Sequence, residues 1–175
     1  MKTTGIIRRI DDLGRIVIPK EIRKTLRIKD GESVEIFLDD NNIVLKKYSP
    51  IEVLPDFYKE YVNAIYSEIG GNIFIVDRDK VVALAGELKK KYINKSISSS
   101  LDTIIQKRVV KFSYEKEKIN LVFNTNENAS YVIAPIITNG DAVGAVIILF
   151  LDDNIDDFIV KTGSIAAKFL GKYIE

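Results

Sequence analysis

The chain has no cysteine and no histidine. Without cysteine there are no disulfides and no thiol chemistry, which is compatible with a reducing cytoplasm. Without either residue, zinc sites of the usual kind and His- or Cys-based catalysis are excluded. Carboxylate, Lys, Ser and Tyr chemistry stays open, but no spacing of those residues points to it, so an enzyme is not expected. Long apolar runs are also missing. The longest, Ala142 to Leu151, is broken by Gly144 and is far too short to span a bilayer. No apolar segment opens the chain, so nothing directs export. The expectation is a cytoplasmic protein with no membrane role, no metal and no cofactor.

What is present is ordinary in bulk and lopsided in detail. A content of 46% hydrophobic and 29% charged residues describes a soluble globular protein, and 175 residues make one large or two small domains. A net charge of +1 argues against nucleic acid until its distribution is read. Residues 1–29 carry nine bases (Lys2, Arg8, Arg9, Arg15, Lys20, Arg23, Lys24, Arg27, Lys29) against Asp11, Asp12 and Glu21, or +6. Residues 30–50 carry two bases against five acids, or −3, and residues 51–175 come to −2. Short apolar runs separate the cations of the head. It can therefore fold and still present a positive field, as a polyphosphate binder does.

Gly5 to Ile10 and Arg15 to Ile18 read as two short strands from their β-branched content, joined by an Asp11–Gly14 turn in which Gly14 takes positive φ. Pro19 ends the second and sits where a helix begins. Lys20 to Arg27 makes two turns, with Ile22 and Leu26 facing inward and Arg23, Lys24 and Arg27 pointing elsewhere. Glu32 to Leu38 is a clean strand with Val34, Ile36 and Leu38 on one face. Asp39 to Asn42 is a hairpin turn, and Ile43 to Lys47 is the return strand. A ββαββ head of about fifty residues, with no metal or disulfide, lies near the lower limit for a self-sufficient core. The simplest remedy is a second copy whose strands close one body with the first, which also presents the cations twice to a duplex.

The string TTGIIRRIDDLGRIVIPKEIRKTLRI, followed by an acidic hairpin ending LKKY, resembles the AbrB-type swapped-hairpin DNA-binding domain of bacterial transition-state regulators. The shared pattern is G-I-x-R-x-[IV]-D-x-L-G-R-[IV]-V-I-P-x-E-[IL]-R-x-T-L, within Lys2 to Ser49. The resemblance implies a swapped-hairpin β-barrel dimer gripping double-stranded DNA. It places the family's DNA-contacting residues on Arg8, Arg15, Arg23 and Lys24, with Arg9 beside them. Arg27 stands where the family commonly has a glycine closing the helix, and its role is left open. Without the motif, Arg8 and Arg15 would read equally as solvated edge-strand charges.

Ser49 to Pro55 breaks the pattern with two prolines and marks a boundary. The reading is residues 1–49 as the DNA-binding domain, 50–55 as a link and 56–175 as a second domain. Asp56 caps a helix to about Ile69, stopped by Gly70-Gly71, with Tyr58, Val62, Ile65 and Ile69 on one stripe. A matching helix runs from Ile155 to Tyr173, where Ile155, Ile159, Thr162, Ala166, Phe169 and Tyr173 have the spacing of a helix–helix seam. This seam covers a sheet, serves oligomerisation (dimers, or dimers paired into tetramers), or does both. Between the helices lie a hairpin (Asn72–Val76 and Lys80–Leu84), a helix opened by a capping box at Ser99–Asp102, strands at Ile119–Phe123 and Ser130–Ile137, and an apolar central strand, Ala142 to Phe150. That is an α+β layout with an antiparallel sheet and flanking helices.

NIFIVDRDKVVAL and PIITNGDAVGAVIIL resemble a GAF domain, the small-molecule sensing fold, without the cyclic-nucleotide motif N-K-x-F-D-E and without the cysteines of the redox and chromophore-binding forms. The resemblance implies a pocket between sheet and internal helix, with an effector that cannot be named. An AbrB-type head on a GAF-like half is similar to regulators of spore development that both activate and repress transcription on the nucleoid. The rival is an addiction antitoxin, which shares the head but carries a disordered acidic tail in place of residues 51–175.

Overall fold

The computed structural model describes residues 5–26, 28, 30–31 and 33–175. Arg27 lies outside the described residues. The chain divides into two compact units, Met1–Tyr48 and Ser49–Glu175.

In the first unit, the Asp11–Arg15 turn closes as its sequence suggests. The Gly14 amide donates to the Asp11 carbonyl (3.0 Å), the Asp11 amide donates to the Arg15 carbonyl (3.1 Å), and Gly14 sits at φ +75°. Pro19 leads directly into helix α1 (Lys20–Thr25). Strands β1 (Val34–Asp39) and β2 (Asn42–Lys47) pair antiparallel around Asp40, which takes φ +51°. The expected strands at Gly5–Ile10 and Arg15–Ile18 are different: among the described residues they carry no ladder with each other beyond the turn. A strand needs a hydrogen-bonded neighbour along its whole length, and among the described residues these two segments do not supply one to each other. Ile22 is only half-buried and Leu26 is exposed, so the inward face assigned to the helix has little to cover it in a single chain.

The second unit closes on itself. Five antiparallel strands stand in the order β4-β3-β7-β6-β5: β3 (Asn72–Asp77), β4 (Val81–Ala85), β5 (Lys111–Ile119), β6 (Glu127–Thr138) and β7 (Asp141–Phe150). The apolar strand β7 is central, as its all-hydrophobic run requires. Period-two alternation sorts its side chains, with Ala145, Ile147 and Leu149 facing one layer and Val146 and Ile148 the other. One layer holds α2 (Pro55–Ile69) and α5 (Asp157–Tyr173). The other holds α3 (Lys89–Tyr92) and α4 (Ser99–Gln106). Helix α5 lies tight on β6: a Cβ on Gly171 would stand 2.2 Å from the Ile137 carbonyl oxygen. Only a residue without a side chain allows that approach.

Several expectations shift. Asp56 is not the cap of α2; Leu54 precedes the helix, Pro55 takes its first position and Asp56 lies in the first turn, where its charge still meets the positive helix end. Gly70 does stop that helix, at φ +68°. The cap of α4 is Ser98, whose Oγ accepts from the Leu101 amide (3.0 Å), one residue earlier than the capping box suggested. The strand placed at Ile119–Phe123 is instead β5, ending at Ile119. Its charged run escapes hydrophobic patterning because an edge strand exposes most of its side chains. Ser49–Pro55 is no free tether, since Pro50–Val53 forms a 3₁₀ turn that buries Ile51 in the α2/α5 layer. Ser49 Oγ also donates to Asp77 Oδ2 (3.2 Å).

The helical seam splits in two. Ile155, Ile159 and Ala166 are buried under the sheet, while Phe169 and Tyr173 stack on Tyr61 (5.6 Å) and Phe57 (4.4 Å) across α2 and α5. Tyr58 is enclosed beside them, its hydroxyl without a hydrogen-bond partner among the described residues. Burial, and secondarily the Tyr173 phenol, push its pKa from 10.0 up to about 12. The folded state thus holds this proton more tightly than the unfolded chain. Its contribution is complete below pH 10 and is lost as pH rises towards 12. Tyr58→Phe removes both the enclosed hydroxyl and this titration. Urea unfolding followed by circular dichroism should find the variant no less stable at pH 7 and less sensitive to alkali above pH 10. Greater alkali sensitivity would contradict the assignment.

Candidate nucleic-acid interface

The five basic residues singled out from the sequence occupy two stretches of the first unit. Arg8 and Arg9 precede the Asp11–Arg15 turn, and Arg15 closes it. Arg23 and Lys24 lie in the last turn of α1. Arg8, Arg9, Arg15 and Lys24 are exposed, and Arg23 is half-buried. A cation in the final turn of a helix meets the partial negative charge of the last carbonyls, which favours Arg23 and Lys24 there. Among the described residues, Arg8 Nη1 donates to the Ile7 carbonyl at 3.1 Å.

Two of these cations are held by carboxylates that the sequence reading did not select. Arg15 Nε donates to Asp11 Oδ2 at 2.8 Å. Asp11 Oδ1 meanwhile accepts from the backbone amides of Leu13 (3.0 Å) and Arg15 (2.8 Å). The Arg15 backbone N–H and then its guanidinium lower the Asp11 pKa below the usual carboxylate value, so Asp11 stays charged. Arg23 Nη1 donates to Asp30 Oδ1 at 2.6 Å. The signal for Asp11 was legible: an aspartate leading x-Leu-Gly-Arg is an Asx turn with a cation at its exit.

The same unit exposes several large apolar side chains. Ile7 is 88% exposed, Leu38 82%, Val17 74% and Leu13 71%. A groove of about 210 Å³ runs beside Ile16, Ile18, Pro19, Ile22 and Leu45, with Arg8 at its rim. Contiguous apolar surface of this kind marks an association face.

The second unit offers a different surface. The sheet face expected to hold a small-molecule pocket is filled by the protein's own side chains. Phe74, Tyr92, Leu101, Ile105 and Tyr131 are all fully buried there. Each tyrosine hydroxyl is anchored: Tyr92 and Lys91 Nζ donate to Glu127 Oε1, and Tyr131 donates to Glu117 Oε1. Burial pushes the Glu127 pKa up, but the hydrogen bonds from Lys91 and Tyr92 together outweigh it and leave Glu127 below its ordinary value. A cleft of about 560 Å³ in this unit lies elsewhere, lined by Tyr66, Asn72, Glu87 and Phe150 among others. Among the described residues, no group of His, Cys, Asp and Glu is arranged to hold a metal ion, and no helix is long and apolar enough to cross a membrane.

Residues 53–175 match the family described as stage V sporulation protein T C-terminal, transcription factor. Residues 7–52 match antidote-toxin recognition MazE, bacterial antitoxin. Stage V sporulation protein T of Bacillus subtilis is 47% identical over 177 residues, covering 100% of this chain and 99% of that protein. The transition state regulatory protein AbrB of the same organism is 56% identical over 50 residues, covering 29% of this chain and 52% of AbrB. Among solved structures, the second GAF domain of DevS from Mycobacterium smegmatis is similar at TM-score 0.54. It has 7% identity and the match covers 69% of this chain and 92% of that domain, a likeness of fold alone.

The exposed apolar faces of the first unit predict self-association independent of the second. A fragment spanning residues 1–49 should scatter light as a dimer or larger. A folded monomer at micromolar concentration would contradict this.

Proposed function

The chain belongs to the stage V sporulation protein T family of transcription factors, and on that premise we propose that it regulates spore-development genes by gripping duplex DNA through its first unit. The AbrB-like sequence of that unit, with its cations concentrated beside apolar faces that need a second copy, carries the reading. Arg8, Arg9, Arg15 and Lys24, with Arg23 behind them, meet phosphates and groove edges. The two-fold body presents them twice to a pseudo-symmetric site, where it activates at some promoters and represses at others. No side-chain set is dedicated to particular bases, so much of the selectivity is readout of DNA shape and deformability. The protein acts in the cytoplasm, on the nucleoid.

The second unit assembles dimers into tetramers. Phe158, Ile165, Phe169 and Tyr173 leave an apolar stripe along the outer side of α5, which supports that role. A small-molecule effector acts through this unit only by binding one arrangement better than another. It must also open a sheet face now occupied by Tyr92 and Tyr131. The antitoxin reading has the description of the family matching residues 7–52 in its favour. It expects a disordered acidic tail, whereas Ser49–Glu175 carries two buried layers about a five-stranded sheet.

Counterion release gives the decisive measurement. With on the order of six phosphates neutralised per dimer, log affinity should fall against log salt with a slope of roughly −5. Arg8→Ala or Arg15→Ala should weaken binding by about 1–3 kcal/mol where the side chain reads a base. Fluorescence anisotropy on labelled duplex across a salt series measures both. A flat salt dependence, or full affinity in an assembled arginine variant, would count against the interface.

A further inference from the structure

We propose that Asp11, an acid set among the cations of the first unit, is a positioning residue for DNA binding that holds the Arg15 guanidinium ready to meet a base edge or phosphate. The proposal rests on the DNA-binding reading above and extends it to a residue that charge counting would treat as a liability.

The geometry gives each Asp11 oxygen its own task. Oδ1 accepts from the amides of Leu13 (3.0 Å) and Arg15 (2.8 Å), which fixes the carboxylate to the turn. Oδ2 accepts from Arg15 Nε at 2.8 Å. The turn itself is closed by the Gly14 amide to the Asp11 carbonyl (3.0 Å) and the Asp11 amide to the Arg15 carbonyl (3.1 Å). The guanidinium is therefore held by a group that cannot move without opening the turn. An ordinary surface ion pair joins two mobile side chains and holds little. Here one partner is anchored to backbone.

The point of attachment also matters. Guanidinium presents its donors as a planar fork, and engagement through Nε leaves the outer Nη edge available for bidentate contact. That edge is the one that pairs with guanine O6 and N7 or with two phosphate oxygens. The Arg15 side chain is 71% exposed, so it remains accessible while held. Arginine otherwise surrenders much of its rotamer freedom on binding, and a side chain already ordered loses less. Against this stands repulsion between the carboxylate and the phosphates. If repulsion dominated, removal of any acid from this face would tighten binding, and Asp12, the next residue along, provides the comparison.

The test uses the full chain and a duplex enriched by the wild-type protein from a random-sequence pool. Affinities come from fluorescence anisotropy at one fixed salt concentration, and light scattering verifies assembly. Asp11→Asn keeps an acceptor for the two backbone amides but turns an amide group towards Arg15 Nε, so it releases the arginine while sparing the turn. It should weaken binding roughly five- to tenfold, a part of what loss of a base-reading arginine costs. Asp12→Asn removes the same charge and should not weaken binding. In an Arg15→Ala background, Asp11→Asn should cause no further loss, because the two residues act as one unit. Asp11→Ser, which can also support the turn, should repeat the Asp11→Asn result. The proposal is overturned if Asp11→Asn binds as tightly as wild type or tighter, or if its loss is equal with and without Arg15. It is equally overturned if both Asp11 variants fail to assemble, which would make Asp11 a folding residue. Should the wild-type chain enrich no duplex, the DNA-binding reading itself fails, a result distinct from wild-type binding with an indifferent Asp11→Asn.

Discussion

The first unit cannot bury its own apolar residues, and the rest of the molecule's behaviour follows from that shortage. Fewer than fifty residues, one short helix and one laddered hairpin leave Ile7, Leu13, Val17 and Leu38 largely in water. Each of these side chains would gain about 1.5–3 kcal/mol on full burial, so covering them outweighs much of the entropic cost of bringing two chains together. Among the described residues, 7–10 and 15–18 form no ladder with each other, and such segments gain from a neighbour for the same reason. Apolar burial and backbone pairing thus demand one solution, a second chain. That solution doubles the cations without lengthening the sequence. A second copy would complete the core, and the symmetry useful for reading a duplex would come with it.

The second unit makes the opposite choice. Its sheet is covered on both faces, and α5 approaches until a backbone carbonyl stands where a side chain would be, at Gly171 against Ile137. The sheet edge at β4 is closed by the residues after α3, with the Val81 amide donating to the Lys95 carbonyl (3.0 Å) and the Asn94 amide to the Val81 carbonyl (3.0 Å). The other edge, β5, protects itself with alternating charges and an irregularity between Ser113 and Glu117. Apolar side chains stay exposed on the outer side of α5, at Phe158 and Ile165, and also at Val109 and Phe123.

Legibility in the sequence tracks how local the cause is. The Asp11–Gly14 turn, the Pro19 helix start, the Gly70 stop and the central place of β7 all rest on one to ten neighbouring residues, and all are where local chemistry puts them. Misreadings arise where a distant partner decides. The strand at β5 is placed too late in the chain because its strand character comes from pairing with β6 and not from its own hydrophobic pattern. The α5 seam reads as a single stripe because 4-3-4 spacing cannot separate a face turned to the protein's own sheet from one turned outward. Arg8, Arg9, Arg15, Arg23 and Lys24 were legible as charges, while the acid that anchors Arg15 was legible only through its Asx turn, since net-charge counting enters it with the wrong sign.

The filled sheet face bears on how such a protein could be regulated. A GAF-like fold invites a ligand into the space beside α4, yet here Tyr92 and Tyr131 occupy it, and each is tied by its hydroxyl to a glutamate nearer the rim. Any ligand entering there must first move a buried aromatic ring and break a charge-assisted hydrogen bond. Its apparent affinity is then its intrinsic affinity scaled by the fraction of molecules already open. A closed, well-packed face makes that fraction small and the threshold for response high. A ligand could populate an open form of this face only if its preference for that form exceeded the energy of closing it.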